Sequence, residues 1–153
     1  VALTYTKNSA VFKSDEYTIY TRLIEGKYFA YQKMFTEGEI NTCASRTALI
    51  GAMTRAKMCT EEKQPAVFEI ENDVLNISIK DKLADYQEQV PLQETVCKSI
   101  RLGFDSRLVL ETLKAFTCDN IALGFTSPRT PMIVEAEDSD MKAMVLPVAI
   151  REA

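Results

Sequence analysis

The chain has 153 residues, 46% of them hydrophobic and 26% charged, which suits one ordinary globular domain with part of another and argues against disorder. It contains no histidine, so His-based acid–base catalysis and a Cys–His nucleophile are excluded. A net charge of −4 excludes a surface coated in basic residues, although a local patch of Lys and Arg can still meet nucleic acid.

In chain order, most segments read as strands. Residues 1–6, 10–12 and 17–24 are rich in β-branched and aromatic side chains, and polar turns at Lys7-Asn8-Ser9 and Ser14-Asp15-Glu16 separate them. A further strand is expected after residue 38. The first helix is predicted over 46–58, with Ser45 as N-cap and an apolar stripe of Leu49, Met53 and Ala56. Residues 67–71 and 74–79 read as half-buried strands joined by a two-residue hairpin turn at Asn72-Asp73. Strands over 86–92 and 99–104 follow. The second helix is predicted over 106–116, capped by Asp105 or Ser106. Val109, Leu113 and Phe116 form its stripe, and Arg107, Glu111 and Lys114 lie on another face. Strands over 120–125, 132–135 and 143–148 complete the set. Two helices among about eight strands make an α+β domain with antiparallel sheets.

An internal repeat is visible. Val1-Ala2-Leu3-Thr4-Tyr5-Thr6 aligns with Ile121-Ala122-Leu123-Gly124-Phe125-Thr126 at an offset of 120. Downstream, Val11-Phe12 corresponds to Ile133-Val134, and 17–24 to 141–148. A unit of this length that recurs predicts a chain holding the last strands of one domain and the whole of the next. The expected division is 1–31, terminal strands plus linker, and 32–153. The chain does not begin with Met, which suggests a piece excised from a longer protein.

Other chemistry is sparse. Cys43, Cys59, Cys97 and Cys118 form no CxxC pair and are expected to be reduced, mostly buried thiols. There is no glycine-rich phosphate loop. Glu61-Glu62, and the cluster Glu135, Glu137, Asp138 and Asp140, read as solvated turns; the cluster lacks the spacing of a calcium loop. No apolar run approaches the ~20 residues of a membrane span, and no leader is evident. A cytoplasmic protein without metal or cofactor is expected.

Several motifs together resemble the bacterial DNA polymerase III beta sliding clamp at the junction of its second and third domains. They are Arg22-Leu23-Ile24-Glu25-Gly26-Lys27-Tyr28 followed by Tyr31, the helix with Met53-Thr54-Arg55-Ala56, and Leu102-Gly103-Phe104 followed by Leu108, Val109 and Leu113. Cys118-Asp119-Asn120 and Met144-Val145-Leu146-Pro147 continue the match in one register. The resemblance implies a DNA-clamp fold and a non-catalytic function. Two subunits would form a homodimeric ring that encircles double-stranded DNA without reading sequence. Short clamp-binding peptides of the polymerase and of the clamp loader would dock in a groove.

By the resemblance, the groove takes Phe29, Lys33, Met34, Pro131, Met144, Val145, Leu146, Pro147 and Val148. The DNA-facing cations are Arg55, Lys57 and Lys114, with Lys63 as a weaker candidate. On their own, without the resemblance, these residues read more readily as solvated helix charges and a buried final strand. The interface between protomers is expected around 96–101 and the second helix. Phe29-Ala30 replaces the family's Pro-Asp, and Ala149 stands where the family has Arg, which puts partner preference in question. The other reading is a small α+β module that binds a peptide or ligand without acting on DNA.

Overall fold

The computed structural model describes residues 1–59, 64–80, 85–136 and 140–150, and its contacts divide the chain into two units between Gln32 and Lys33. In the first unit, β1 (Ala2–Tyr5), β2 (Ser9–Lys13) and β3 (Thr18–Arg22) form an antiparallel meander. Its turns close through the amide of Thr6, which donates to the Ser9 carbonyl, and that of Ser14, which donates to Tyr17. Leu3, Phe12 and Ile19 form one cross-strand row. All three stay exposed, and Ala10 is the one buried residue among 1–32. A three-stranded sheet with so little burial has scant driving force of its own.

The second unit carries the core. β4 (Ile40–Ser45) leads into α1 (Arg46–Met58); β5 (Ala66–Lys80) and β6 (Asp85–Phe104) follow, then α2 (Ser106–Ala115), β7 (Asn120–Phe125), β8 (Met132–Glu135) and β9 (Lys142–Val145). The strands form one antiparallel sheet in the order β5-β6-β4-β7-β8-β9. Both helices start where side-chain oxygens satisfy free amides. Ser45 Oγ accepts from Ala48, and Asp105 Oδ1 accepts from Arg107 at 2.8 Å and Leu108 at 3.3 Å. Asp105 is therefore the second cap, and Ser106 is the first helical residue.

The helical stripes are buried as their spacing requires. Leu49, Met53 and Ala56, together with Ala52, join Val109, Leu110, Leu113 and Phe116 in one core with the inner sheet face. Each large side chain so buried contributes about 2–3 kcal/mol. α1 packs against α2 and lies on β4, β5 and β6, while α2 also reaches β9. Arg46 ties the start of α1 to the turn before β7: its Nε donates to the Cys118 carbonyl at 2.5 Å.

Asn72-Asp73 forms no hairpin turn. The two strands expected around it are one 15-residue strand, and the pairs expected at 86–92 and 99–104 are likewise one 20-residue strand. Eight expected strands become six. The ladder jumps register between Ile70, Asn72 and Val74, and Asn72 has φ +54°. Asn tolerates that left-handed conformation, which suits a hairpin turn and a bulge alike. Here β6 supplies partners on both sides of Asn72, so the chain continues straight on.

Residues 96–101, expected at a free edge, lie in β6 and are hydrogen-bonded to β5. The sheet ends at β5 and β9. Past β9, the amide of Val148 donates to the Gly103 carbonyl at 2.8 Å, so the C-terminal segment returns to the far end of β6. β4 meets β6 near its other half, at Leu92. One long strand thus borders both margins of the β4-β7-β8-β9 set.

The two meanders share their pairing. Leu3 faces Phe12 and Phe12 faces Ile19; at the corresponding positions Leu123 faces Val134 and Val134 faces Ala143. The cysteines are less buried than expected: Cys97 is exposed and the other three are half-buried. Among the described residues no helix is long and apolar enough to cross a membrane.

Gly103 gives the C-terminal contact a direct test. A Cβ there would stand 2.9 Å from the Val148 carbonyl oxygen and 3.0 Å from Ile150 Cγ1, with backbone on one side. Gly103→Ala is expected to lower unfolding stability by about 1–3 kcal/mol and to speed exchange of the Val148 amide. Urea denaturation and hydrogen exchange read both; unchanged protection at Val148 would contradict the close approach.

Candidate functional site

α1 and α2 present the expected cations. Arg55, Lys57 and Lys114 are all exposed, in the last turns of their helices, where positive charge meets the helix dipole favourably. Lys114 has no ion pair among the described residues. Lys63 and the pair Glu61-Glu62 lie outside the described residues. So do Glu137 and Asp138 of the acidic cluster; Glu135, at its edge, pairs with Lys142 at 2.8 Å.

Arg55 is not a free charge. Its Nε and Nη2 donate to the two oxygens of Glu88 at 2.8 and 2.5 Å, a bidentate fork. Glu88 and Tyr86 sit two apart on β6, so both side chains point to the helix-bearing face. The Tyr86 hydroxyl reaches Glu88 Oε2 at 2.5 Å and the Ala52 carbonyl at 2.9 Å. A phenol carries one proton, so these two acceptors share it. Below the guanidinium is Gly51: a Cβ there would stand 3.1 Å from Nη2. The bonds from Arg55, then the one from Tyr86, hold the Glu88 carboxyl down to about 2. Burial, then the bond to Glu88, pushes the Tyr86 phenol up to about 12. Glu88 in turn keeps Arg55 more firmly protonated than usual.

The expected groove residues fall in both units. Phe29 belongs to the first, where its ring lies 5.0 Å from Tyr28 and 6.2 Å from Tyr31, centroid to centroid. Lys33 is exposed and Met34 half-buried at the start of the second. In the β8–β9 pair, Met132 faces Val145 and Ile133 faces Met144, which brings Pro131 and Leu146 to the same end. Val145 points into the core at 3% exposure, whereas Leu146 at 57% and Val148 at 42% face outward. Met144 and Pro147 are half-buried. Val145 therefore supports the strand from inside, and Leu146 and Val148 are the side chains available to a partner.

Two features escaped sequence reasoning. The first is the Glu88–Tyr86 pair that receives Arg55; alternation of residues 86, 88 and 90 toward one face was its signal. The second is a cleft of roughly 230 Å3, where Phe35, Thr36, Glu37 and Gly38 cross the outer face of β7 and β8. Asn41 Nδ2 donates to the Gly38 carbonyl at 2.7 Å and holds that crossing down. A Cβ on Gly38 would meet the Phe125 amide nitrogen at 2.7 Å, which is why a glycine is needed there.

Known proteins share this architecture. The family model "DNA polymerase III beta subunit, C-terminal domain" matches residues 35–149. The beta sliding clamp of Halalkalibacterium halodurans is 24% identical over 140 residues, covering 88% of this chain and 37% of that protein. Among solved structures, the DNA polymerase sliding clamp of Caulobacter crescentus gives a TM-score of 0.89 at 13% identity, over 97% of this chain and 40% of that one. The DNA polymerase sliding clamp of Pseudomonas aeruginosa, solved with a ligand, gives 0.87 at 19%, over 97% and 41%. These likenesses show the clamp fold. The chain spans about two-fifths of the length of these relatives.

The Arg55–Glu88 pair predicts an acid-sensitive increment of stability. Glu88 titrates near 4.5 when unfolded and near 2 when folded. A depressed carboxyl stabilises the fold above its unfolded value and loses that contribution as pH falls through the folded one. The thermal midpoint is expected to drop between pH 4.5 and 2, and to drop less steeply in Glu88→Gln. Parallel curves for the two proteins would exclude the pair as a source of the acid limb.

Proposed function

The chain belongs to the family formed by the C-terminal domain of the DNA polymerase III beta protein, and from that premise we propose that it is the third-domain portion of a sliding clamp, the processivity factor of a bacterial replicative polymerase. The parent protein encircles duplex DNA and tethers the polymerase and other partners through short peptides. The family match over 35–149 carries this reading. In it, 1–31 are the last strands and linker of the preceding domain, and 32–153 form the C-terminal clamp domain. The exposed row of Leu3, Phe12 and Ile19 supports this, because such a row is normally covered by the rest of its own sheet stack. The protein works in the cytoplasm and performs no catalysis.

A clamp must attract DNA weakly and without sequence preference, so that it slides. Lys57 and Lys114, with Arg55, suit that task on adjacent helices. Within the second unit, the peptide groove is assigned to Lys33, Met34, Pro131 and 144–148. Within it, Leu146 and Val148 offer apolar contact and Met144 an adaptable thioether. Ring closure as a homodimer is assigned to the outer edge of β5. That edge carries no partner strand among the described residues, so its amides and carbonyls suit a strand from another protomer.

The groove assignment is tested by titrating a clamp-binding peptide into the wild-type chain and into Leu146→Asp by calorimetry. Wild type is expected to bind weakly, because part of the groove lies in the preceding domain, and the variant at least about tenfold more weakly, as burying a charge in an apolar contact costs more than ~1.4 kcal/mol. Equal affinity of the two proteins would refute the assignment.

A further inference from the structure

Arg55 is held in place from three sides. Gly51, one helical turn earlier, leaves the gap across which its guanidinium lies, 3.1 Å and 3.3 Å from where a Cβ would stand. Glu88 takes Nε and Nη2 with its two oxygens. Tyr86 fixes Glu88 from the other flank and is itself anchored at the Ala52 carbonyl of α1. The pair is still open to solvent: 56% of the Arg55 side chain and 27% of Glu88 are exposed.

That arrangement has a chemical parallel. The guanidinium fork that grips two carboxylate oxygens also grips two oxygens of a phosphate diester. On the helix surface assigned to DNA, Glu88 occupies the donors that a backbone phosphate would use. As a prop for the fold, an exposed ion pair contributes little, so stability alone is a weak reason for a glycine slot, a fork and a phenol to converge on one arginine.

We propose that Glu88, steadied by Tyr86, is an internal substitute for a DNA phosphate that holds Arg55 back and sets how firmly α1 grips duplex DNA. This rests on the DNA-facing assignment of the helices. The pair together carries no net charge, so in the resting clamp Arg55 adds little to counterion release. When a phosphate approaches, the second N–H of Nη2 and both of Nη1 can meet it, and the guanidinium then bridges the two anions without leaving Glu88. Such contact is short-lived by design: the fork stays on the resident carboxylate, whose charge offsets the pull of the guanidinium, so the phosphate slides on. Glu88 is a positioning residue here, since it acts on DNA only through Arg55.

The test measures binding of this chain to a fluorescent duplex by anisotropy across a salt series, with circular dichroism to check that each variant is folded. Glu88→Gln is expected to bind about tenfold tighter near 50 mM salt, and its plot of log affinity against log salt to steepen by about 0.9, the value for one added phosphate contact. Arg55→Gln alone is expected to weaken binding modestly, because it leaves the Glu88 carboxylate uncompensated, and Arg55→Gln added to Glu88→Gln to erase the gain. Lys114→Gln checks the DNA surface independently and is expected to weaken binding. If Lys114→Gln weakens binding while Glu88→Gln leaves affinity and slope unchanged, the proposal is overturned and the DNA-facing reading stands. If Glu88→Gln tightens binding equally with and without Arg55, the effect is simple loss of a negative charge, which also overturns it. Absence of DNA binding by every protein down to the lowest salt would overturn both.

Discussion

Fifteen residues of β5 run against twenty of β6, and their ladder survives the irregularity at Asn72. Almost every other feature of the second unit is positioned by that hairpin. One arm of β6 meets β4 at Leu92, and the other meets the C-terminal segment at Val148. The near arm also carries Tyr86 and Glu88 beneath α1. A bulge increases local twist and bends a strand without ending it, so the same two strands serve both margins of the sheet. Had Asn72-Asp73 closed a tight turn, β6 would have lost its partner over half its length. The docking of the C-terminal segment, and with it Leu146 and Val148, would have lost its base.

The helices and their caps were legible in the sequence because the signals are local. A 3.6-residue stripe and a Ser or Asp before it are enough to define Arg46–Met58 and Ser106–Ala115 to within a residue. The middle of the β5–β6 hairpin was not legible, because Asn-Asp between two alternating segments satisfies a turn and a bulge equally. The decision lies in β6, whose residues opposite Asn72 are more than twenty positions away. Long-range pairing overrides a local turn preference, and no window of sequence contains both halves of it.

The site divides along the same line. Arg55, Lys57 and Lys114 could be named from helix spacing, and the apolar end of the chain from its composition. What surrounds Arg55 could not. Glu88 is 33 positions from it in sequence, and a lone glycine inside a helix signals low propensity rather than a slot for a side chain. Fractional exposure would also have misled, since Arg55 is open to solvent yet engaged on both arms of its fork. The fold itself was accessible because separate short motifs kept one register along most of the chain. The burial of the cysteines was overestimated because it followed the general tendency of free cysteine to be buried, whereas Cys97 is exposed on β6, Cys59 caps the end of α1 and Cys118 precedes β7.

The two meanders share their pairing but not their loop lengths. Leu3 and Phe12 are nine positions apart, whereas Leu123 and Val134 are eleven; Phe12 and Ile19 are seven apart, whereas Val134 and Ala143 are nine. The second meander is two residues longer at each connection and keeps the same rungs. Lengthening a short loop by that amount raises its closure cost by well under ~1 kcal/mol, while shifting a rung would turn core side chains outward. Copies of this motif can therefore drift freely at their tips while their interiors stay interchangeable. Length differences in such a pair fall at the margins, so an alignment without gaps would hide a correspondence that the hydrogen-bond ladder still shows.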